Sequence, residues 1–176
     1  MGEYYPAEIR IGGRVPATLL EGFLSEIASA GVSVGDYDGP AFDCNNADDP
    51  RQALDDQGCL VLADNQASYG QFEGLEAFCI KNGIPFDRHS DAHYEFDAQN
   101  VRFRPGMERP AQVYSNNCGD DLMDADEVRT VARELARLAK AKLTKEKLLA
   151  AVLKTTRKLN KALPPDVEPL PLLEVN

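Results

Sequence analysis

Two histidines and a carboxylate lie close together in the segment Asp87-Arg-His-Ser-Asp-Ala-His93. Side chains alternate along an extended strand, so His89, Asp91 and His93 would share one face. Two imidazoles that flank a carboxylate suit Zn²⁺ or Fe²⁺, and a metal-dependent enzyme is therefore one hypothesis. Ser90-Asp91 also favours a turn, which would leave both histidines exposed beside it. We favour the turn, and we expect no catalytic residue and no cofactor.

Acidic side chains accumulate after residue 35, and paired carboxylates of this kind suit Mg²⁺ or acid–base chemistry. Their spacing lacks the glycine and the distal glutamate of a calcium-binding loop. We prefer a solvated acidic surface that a protein partner recognises. The predicted partner-binding residues are these carboxylates and three leucines of the C-terminal tail: Asp36, Asp38, Asp48, Asp49, Asp55, Asp56, Leu170, Leu172 and Leu173.

Charge is unevenly distributed along the 176 residues, whose formal net charge is −10. Residues 1–120 carry 20 acidic and 8 basic side chains, whereas residues 129–161 carry 11 basic and 2 acidic ones. The basic segment has enough lysines and arginines to neutralise phosphates, which makes nucleic-acid binding through 129–161 a second alternative. Residues 121–176 contain no aromatic side chain for base stacking. The acidic remainder also repels phosphate, so we expect no nucleic-acid partner.

An internal repeat organises the first half of the chain, because residues 7–44 and 59–96 follow one pattern at an offset of 52. In each, an alternating strand precedes a helix, and a glycine (Gly31 or Gly83) ends the helix before a second strand. Gly12-Gly13 is interpreted as a tight turn between the first strand and its helix. Two β-α-β units of this kind predict a ferredoxin-like α+β sheet with both helices on one face. A doubly wound sheet is the alternative.

The remaining elements are shorter or helical. Strands are predicted at 93–97 and 101–104, joined by a hairpin turn at 98–100, with a further short strand at 112–114. Asp124 resembles a helix N-cap and Thr144 a second one, so two helices precede Pro164-Pro165. They form either an antiparallel hairpin or one long bent helix.

These elements predict three regions with different character. Residues 1–120 form the acidic α+β domain, residues 121–163 form a basic helical arm, and residues 164–176 form an extended tail rich in proline and leucine. The tail has four prolines in its thirteen residues. Its leucines are suited to docking into a groove.

The chain lacks the features of a membrane or exported protein. No apolar run approaches 18 residues, and the first residues are polar and acidic rather than basic and then apolar. The four cysteines, Cys44, Cys59, Cys79 and Cys118, contain no C-x-x-C pair, and whether Cys44 pairs with Cys118 stays open. We therefore expect a cytoplasmic protein without membrane contact.

These features together predict a non-enzymatic protein-binding or regulatory protein. Its acidic surface is suited to occupying a basic groove of a nucleic-acid-handling protein. The sequence leaves open whether the C-terminal helices pack on their own body, on a second copy in a homodimer, or on a partner. The identity of the partner is also open.

Overall fold

The computed structural model describes residues 2–43, 53–94 and 96–176. It is an α+β structure with a six-stranded antiparallel sheet and four helices. Its elements in chain order are β1 Tyr4–Ile11, β2 Gly13–Val15, α1 Ala17–Ala30, β3 Ser33–Val34, β4 Leu60–Ser68, α2 Glu73–Asn82, β5 Phe86–Ser90, β6 Gln99–Phe103, β7 Ala111–Tyr114, α3 Ala125–Lys140, α4 Lys145–Ala162 and β8 Leu173–Val175.

The chain divides into two compact units. Unit 1 comprises Met1–Asp120 together with Val167–Asn176, and unit 2 comprises Asp121–Asp166. The tail that the sequence predicts as an extended appendage over 164–176 therefore supplies ten residues to unit 1. Unit 2 is an insertion in the chain of unit 1, and both of its ends continue into that unit.

Six strands of unit 1 form one sheet in the order β3-β4-β1-β5-β6-β7, and every neighbouring pair is antiparallel. β4 lies between β1 and β3, and β1 lies between β4 and β5. The strands that α1 connects are therefore parallel to each other with a third strand between them, and the same holds for the strands that α2 connects. The doubly wound alternative is wrong, because its sheet would be mainly parallel.

One face of this sheet packs against α1 and α2. Ile9 and Ile11 of β1 are fully buried in one cluster with Phe23 of α1 and Leu75 of α2. The two helices are neighbours, since the rings of Phe23 and Phe78 lie 6.2 Å apart between centroids. Each large apolar side chain buried here contributes about 1.5–3 kcal/mol. Both helices end at the glycines that the sequence predicts.

The segment after β5 differs from the sequence prediction. The predicted strand at 93–97 is wrong for its described residues, which form only an isolated bridge between His93 and Phe96. β6 pairs with β5 rather than with that segment, so the connection between the two strands spans residues 91–98. Alternating residue types suggested a strand at 93–97, but Tyr94 has a positive φ of 46° that breaks extended backbone.

Unit 2 is a pair of helices. Asp124 caps α3, and its Oδ1 accepts hydrogen bonds from the backbone N–H groups of Asp126 at 2.7 Å and Glu127 at 3.2 Å. Residues 141–144 connect α3 to α4, and Lys158 Nζ of α4 lies 2.6 Å from Glu134 Oε1 of α3. The helices therefore form an antiparallel hairpin, and the alternative of one long bent helix is wrong.

The C-terminal strand β8 pairs with β2 in a small parallel sheet. Gly12 makes this possible, because a Cβ at position 12 would overlap the carbonyl oxygen of Pro171. The backbone N–H of Gly13, at φ +72°, points to the carbonyl oxygens of Pro171 at 3.1 Å and Leu172 at 3.0 Å. The two glycines thus form the docking place for the tail, in addition to the turn that the sequence predicts.

Gly12→Ala is expected to displace the tail and to lower the free energy of unfolding by about 1–3 kcal/mol, as overpacking does. Gly31→Ala is the matched control, since nothing lies within 4 Å of its Cβ position and only the left-handed backbone costs about 1 kcal/mol. Amide hydrogen exchange at Leu173 and Asn176 should accelerate in the Gly12 variant alone. Unchanged protection there would contradict this role of Gly12.

Candidate functional site

The face of the sheet away from α1 and α2 carries polar side chains from three adjacent strands. In register, Glu8 of β1 lies opposite His89 of β5, and His89 lies opposite Asn100 of β6. The next row contains Arg10, Asp87 and Arg102 in the same strand order. Tyr37, Arg88, Asp91 and residues 117–119 complete the lining of a cleft of about 490 Å³, which we call the open-face cleft.

His89 is held by a chain of hydrogen bonds. The amide nitrogen of Asn100 donates to the carbonyl oxygen of Gly119 at 2.7 Å, so the amide oxygen of Asn100 is turned toward His89 Nδ1, 2.9 Å away. Nδ1 therefore carries a hydrogen and donates a hydrogen bond to the amide oxygen of Asn100. The second ring nitrogen, Nε2, lies 3.3 Å from Asp91 Oδ1. The arrangement presents Nε2 and a carboxylate to the same part of the cleft.

Two groups that line the cleft, Glu8 and Tyr37, have pKa values shifted from their ordinary values. Burial raises the pKa of Glu8, against the opposing influence of the charges on Arg10 and His89. Burial, reinforced by the negative charges of Asp91 and Glu8, raises the pKa of Tyr37 to about 12. Tyr37 therefore keeps its hydroxyl proton at neutral pH, and ionisation of Glu8 carries a cost to the folded state.

Replacing Glu8 with glutamine is expected to raise the melting temperature at pH 7, because a half-buried charge is removed while the shape is kept. A carboxyl whose pKa is raised on folding gives its full contribution to stability below its unfolded pKa and loses it as pH rises through the folded value. The advantage of Glu8→Gln should therefore disappear below about pH 4. Thermal unfolding of both proteins at several pH values between pH 7 and about pH 4 measures this difference in melting temperature. A variant less stable than the parent at pH 7 would contradict the effect of burial.

The acidic residues predicted to bind a partner fall into three groups. Asp36, Asp38 and Asp56 are exposed. Asp55 is engaged internally, since it pairs with Arg10 and its Oδ1 accepts from the backbone N–H groups of Gln57 at 2.8 Å and Cys59 at 2.9 Å. Burial acts to raise the pKa of Asp55, but these bonds outweigh it and the pKa is lowered. Asp48 and Asp49 lie outside the described residues.

The three leucines of the tail have different surroundings. Leu173 is buried in the core of unit 1, and Leu170 lies half-buried beside Gly12. Leu172 is mostly exposed, although part of its side chain packs near Gly58. The groove into which this tail docks is therefore on its own unit.

The structure separates the three residues of the hypothetical metal site. His89 and Asp91 lie together, but His93 stacks on Tyr5 with ring centroids 5.6 Å apart, and its Nδ1 lies 3.9 Å from Glu3 Oε2. Within residues 2–43, 53–94 and 96–176, no three His, Cys, Asp or Glu side chains are grouped to hold a metal ion.

The hairpin of unit 2 offers a second candidate surface. Thr155 of α4 is buried toward α3, and the half-buried residues of α4 recur around it at helical spacing: Leu148, Ala151, Val152, Leu159 and Ala162. Leu149 and Leu153 lie one turn apart on another side of α4 and are 59% and 51% exposed. We call this pair the α4 outer stripe.

Basic residues occupy a further side of the same helix. Lys147, Lys154 and Lys161 recur every seven residues and are all exposed. Helix α4 thus combines an apolar side toward α3, the α4 outer stripe and a basic side. Within the 46 residues of unit 2, all of which the structure describes, only Val131 and Thr155 are buried. A unit with so small a core leaves much of its apolar surface in contact with water.

No known protein family, curated protein or solved structure matches the chain. In the described ranges, no helix has the length and apolar character needed to cross a bilayer.

Several residues of the open-face cleft were not singled out from the sequence. Glu8 and Arg10 alternate with apolar residues in β1, which is the signal that could have placed them on one polar face. Asn100 and Tyr37 carry no such signal, because their position depends on strand pairing and on a loop. Leu149 and Leu153 belong to a longer apolar pattern in the sequence, which also includes Leu148, Val152 and Leu159, and sequence alone does not show which of these residues α3 covers.

Proposed function

We propose that the protein is a non-enzymatic binding or regulatory protein that recognises another protein through the α4 outer stripe. The observation that carries this proposal is the exposure of Leu149 and Leu153 on a helix whose other apolar side already packs against α3. Exposed apolar patches beside charged side chains are typical of interaction surfaces. An amphipathic helix of this kind binds by laying its apolar residues into a groove.

The charge of unit 2 defines the chemistry of the partner. Residues 129–161 carry 11 basic and 2 acidic side chains, and the basic side of α4 borders the rest of its exposed surface. The partner best suited to α4 is therefore a protein with an apolar groove that carboxylates surround. Complementary charge accelerates the encounter, whereas burial of the leucines provides most of the affinity.

Other occupants of the α4 outer stripe fit less well. A second copy of the hairpin would bring its own excess of positive charge against the first, which opposes association. Nucleic acid would contact the lysines but leave Leu149 and Leu153 in water, and unit 2 has no aromatic side chain for stacking. Both occupants are outcomes that the experiment below distinguishes.

Unit 1 supports a second candidate function. Exposed Asp36, Asp38 and Asp56 keep an acidic surface there, which suits occupation of a basic groove in a nucleic-acid-handling protein. Asp55 and Leu173, which the sequence assigned to the same surface, are engaged inside unit 1 and add little to it.

We further propose that residues 4–90 follow the ferredoxin-like plan and that the protein is cytoplasmic. The strand order β3-β4-β1-β5, with a helix inside each of two interleaved β-α-β units, supports the first. Cys59 and Cys79 support the second, because both are buried free thiols that pack as small apolar groups.

Site-specific photo-crosslinking of the full chain in its native host tests the proposed binding surface. A photoreactive residue at position 149 is expected to capture one protein that the same residue at position 80 does not. Position 80 is the control because Ile80 is an exposed apolar residue on α2 of unit 1. Capture of the chain itself, of nucleic acid, or of the same proteins at both positions would contradict the proposal.

A further inference from the structure

Five aromatic rings lie in contact with one another at one end of the unit 1 sheet. Tyr5 of β1 stacks on His93 and on Phe96, with ring centroids 5.6 Å and 5.8 Å apart. Tyr69 lies edge to face with Phe96 at 6.3 Å, and Tyr94 lies edge to face with His93 at 4.3 Å. We call these five residues the aromatic cluster.

The aromatic cluster presents part of its surface to solvent. Tyr94 is 94% exposed, and Tyr69 and Phe96 are exposed as well, whereas Tyr5 is buried beneath them. In the part of the chain that the structure describes, Tyr69 and Tyr94 are the only residues other than glycine with a positive φ, at 52° and 46°. This conformation costs stability, and burial of the two side chains does not explain it. Such strained positions are typical of binding sites.

Hydrogen bonds hold the aromatic cluster in place. The hydroxyl of Tyr5 donates to the carbonyl oxygen of Tyr69 at 2.7 Å, and the backbone N–H of Tyr69 donates to the carbonyl oxygen of Glu3 at 2.8 Å. His93 and Phe96 exchange two backbone hydrogen bonds of 2.8 Å each. A ligand would therefore meet rings that are already ordered, which lowers the entropy cost of binding.

The charge of the aromatic cluster favours a cation. Three short segments build it: residues 2–6, 67–71 and 91–98. Together they contain four acidic residues and no lysine or arginine, so they are net negative whether or not His93 is protonated. Glu3 Oε2 lies 3.9 Å from His93 Nδ1, which places a carboxylate at the cluster itself. The positive charge of Arg88 acts on Tyr5, but Arg88 is buried and its Nε lies 2.9 Å from Glu76 Oε1.

We propose that the aromatic cluster binds an arginine side chain of a protein partner, with the guanidinium stacked on the exposed rings and its charge balanced by Glu3. A guanidinium is planar and more weakly hydrated than the ammonium group of lysine, so it stacks on an aromatic face more readily. The exposed rings provide the stacking surface, and the acidic segments attract the charge. This inference is independent of the α4 outer stripe, since it involves unit 1 alone.

Titration of the full-length protein with hexa-arginine in about 0.15 M salt, followed by NMR, tests the proposal. Saturable shifts are expected at Tyr69, Tyr94 and Phe96. Hexa-lysine has the same charge without the planar group, and it should bind about three-fold or more weakly. Hexa-proline, which would dock on aromatic rings without charge, should not shift these residues. Equal binding of hexa-lysine, shifts that avoid the aromatic cluster, or binding of hexa-proline there would overturn the proposal.

Variants of Tyr94 separate stacking from charge and from folding. Tyr94→Asn removes the ring but suits the left-handed backbone, so it is expected to weaken hexa-arginine binding by about three-fold or more without lowering the melting temperature. Tyr94→Phe keeps the ring and should bind as the parent does. Tyr114→Asn is the matched control, because Tyr114 is also an exposed tyrosine but lies on β7. Parental affinity in Tyr94→Asn, or an equal loss in Tyr114→Asn, would contradict stacking at the aromatic cluster.

Discussion

Replacing Arg88 with alanine is expected to lower the free energy of unfolding by about 3–5 kcal/mol, the largest loss that we predict for one substitution. Arg88 is 4% exposed and points from β5 toward α2. Its Nη1 donates to the carbonyl oxygen of Gly70 at 2.6 Å, and its Nε lies 2.9 Å from Glu76 Oε1. The same Glu76 oxygen accepts a hydrogen bond from the backbone N–H of Phe72 at 3.0 Å. Alanine would leave the Glu76 charge without its partner.

A double variant distinguishes the lost charge pair from lost packing. Arg88→Met with Glu76→Gln removes both charges, keeps apolar volume near the arginine stem and keeps an acceptor for the Phe72 N–H. We expect it to recover most of the stability, because a buried ion pair contributes little relative to neutral groups of similar shape. Arg109→Ala is the control at an exposed position, and it should lower the free energy of unfolding by less than about 0.5 kcal/mol. Urea unfolding measures all three. A loss in Arg88→Ala no larger than that control would contradict the role of the pair.

Replacing Leu149 and Leu153 together with serine is expected to weaken binding of the protein partner by about 10-fold or more. Burial of a fully exposed leucine contributes about 1.5–3 kcal/mol, and about half of each side chain is still free to be buried, so the pair contributes about 1.5–3 kcal/mol, where about 1.4 kcal/mol corresponds to about 10-fold. Both side chains are more than half exposed in the chain itself, so the free energy of unfolding should change little. Titration calorimetry with the purified partner measures the affinity.

Salt and a control variant separate apolar from electrostatic binding at this surface. Ile80→Ser is the control variant, because Ile80 is also an exposed apolar residue but lies on α2. This variant should bind the partner as the parent does. Higher salt should slow association without abolishing binding, because salt screens the lysines but not the buried leucines. Binding that salt abolishes and that the serine variant keeps would assign the interaction to the basic residues.

Local structure was predictable wherever the apolar periodicity agreed with the residues that begin or end a helix. The apolar spacing of residues 19–27 and 72–79, each followed by a glycine, predicts α1 and α2. Gly31 and Gly83 indeed adopt φ of +68° and +67°. Asp124 was recognisable as an N-cap because its side chain acts on residues two and three positions ahead. These signals depend only on residues that are close in sequence. They can therefore be recognised without knowledge of the fold.

Long-range pairing was not predictable. β8 pairs with β2, although most of the chain separates the two strands in sequence. Only the absent side chain of Gly12 indicates that another backbone approaches there. Arg88 occupies an inward position of β5, where charge alone predicts an outward one, because its partner Glu76 lies on a different element. The open-face cleft likewise combines three strands with loop residues such as Tyr37, and the sequence does not place that loop.

Hydrogen exchange of the full-length protein tests most directly the central claim that the protein binds its partner through α4. It is measured with and without the purified partner that photo-crosslinking identifies. Docking of α4 is expected to slow exchange at amides of residues 145–163, because binding suppresses the local opening of a helix with a small core. Residues 33–43 and 53–58, which carry the exposed aspartates, should exchange at unchanged rates. Protection confined to those acidic segments, with none in α4, would contradict the claim and assign recognition to the acidic surface of unit 1.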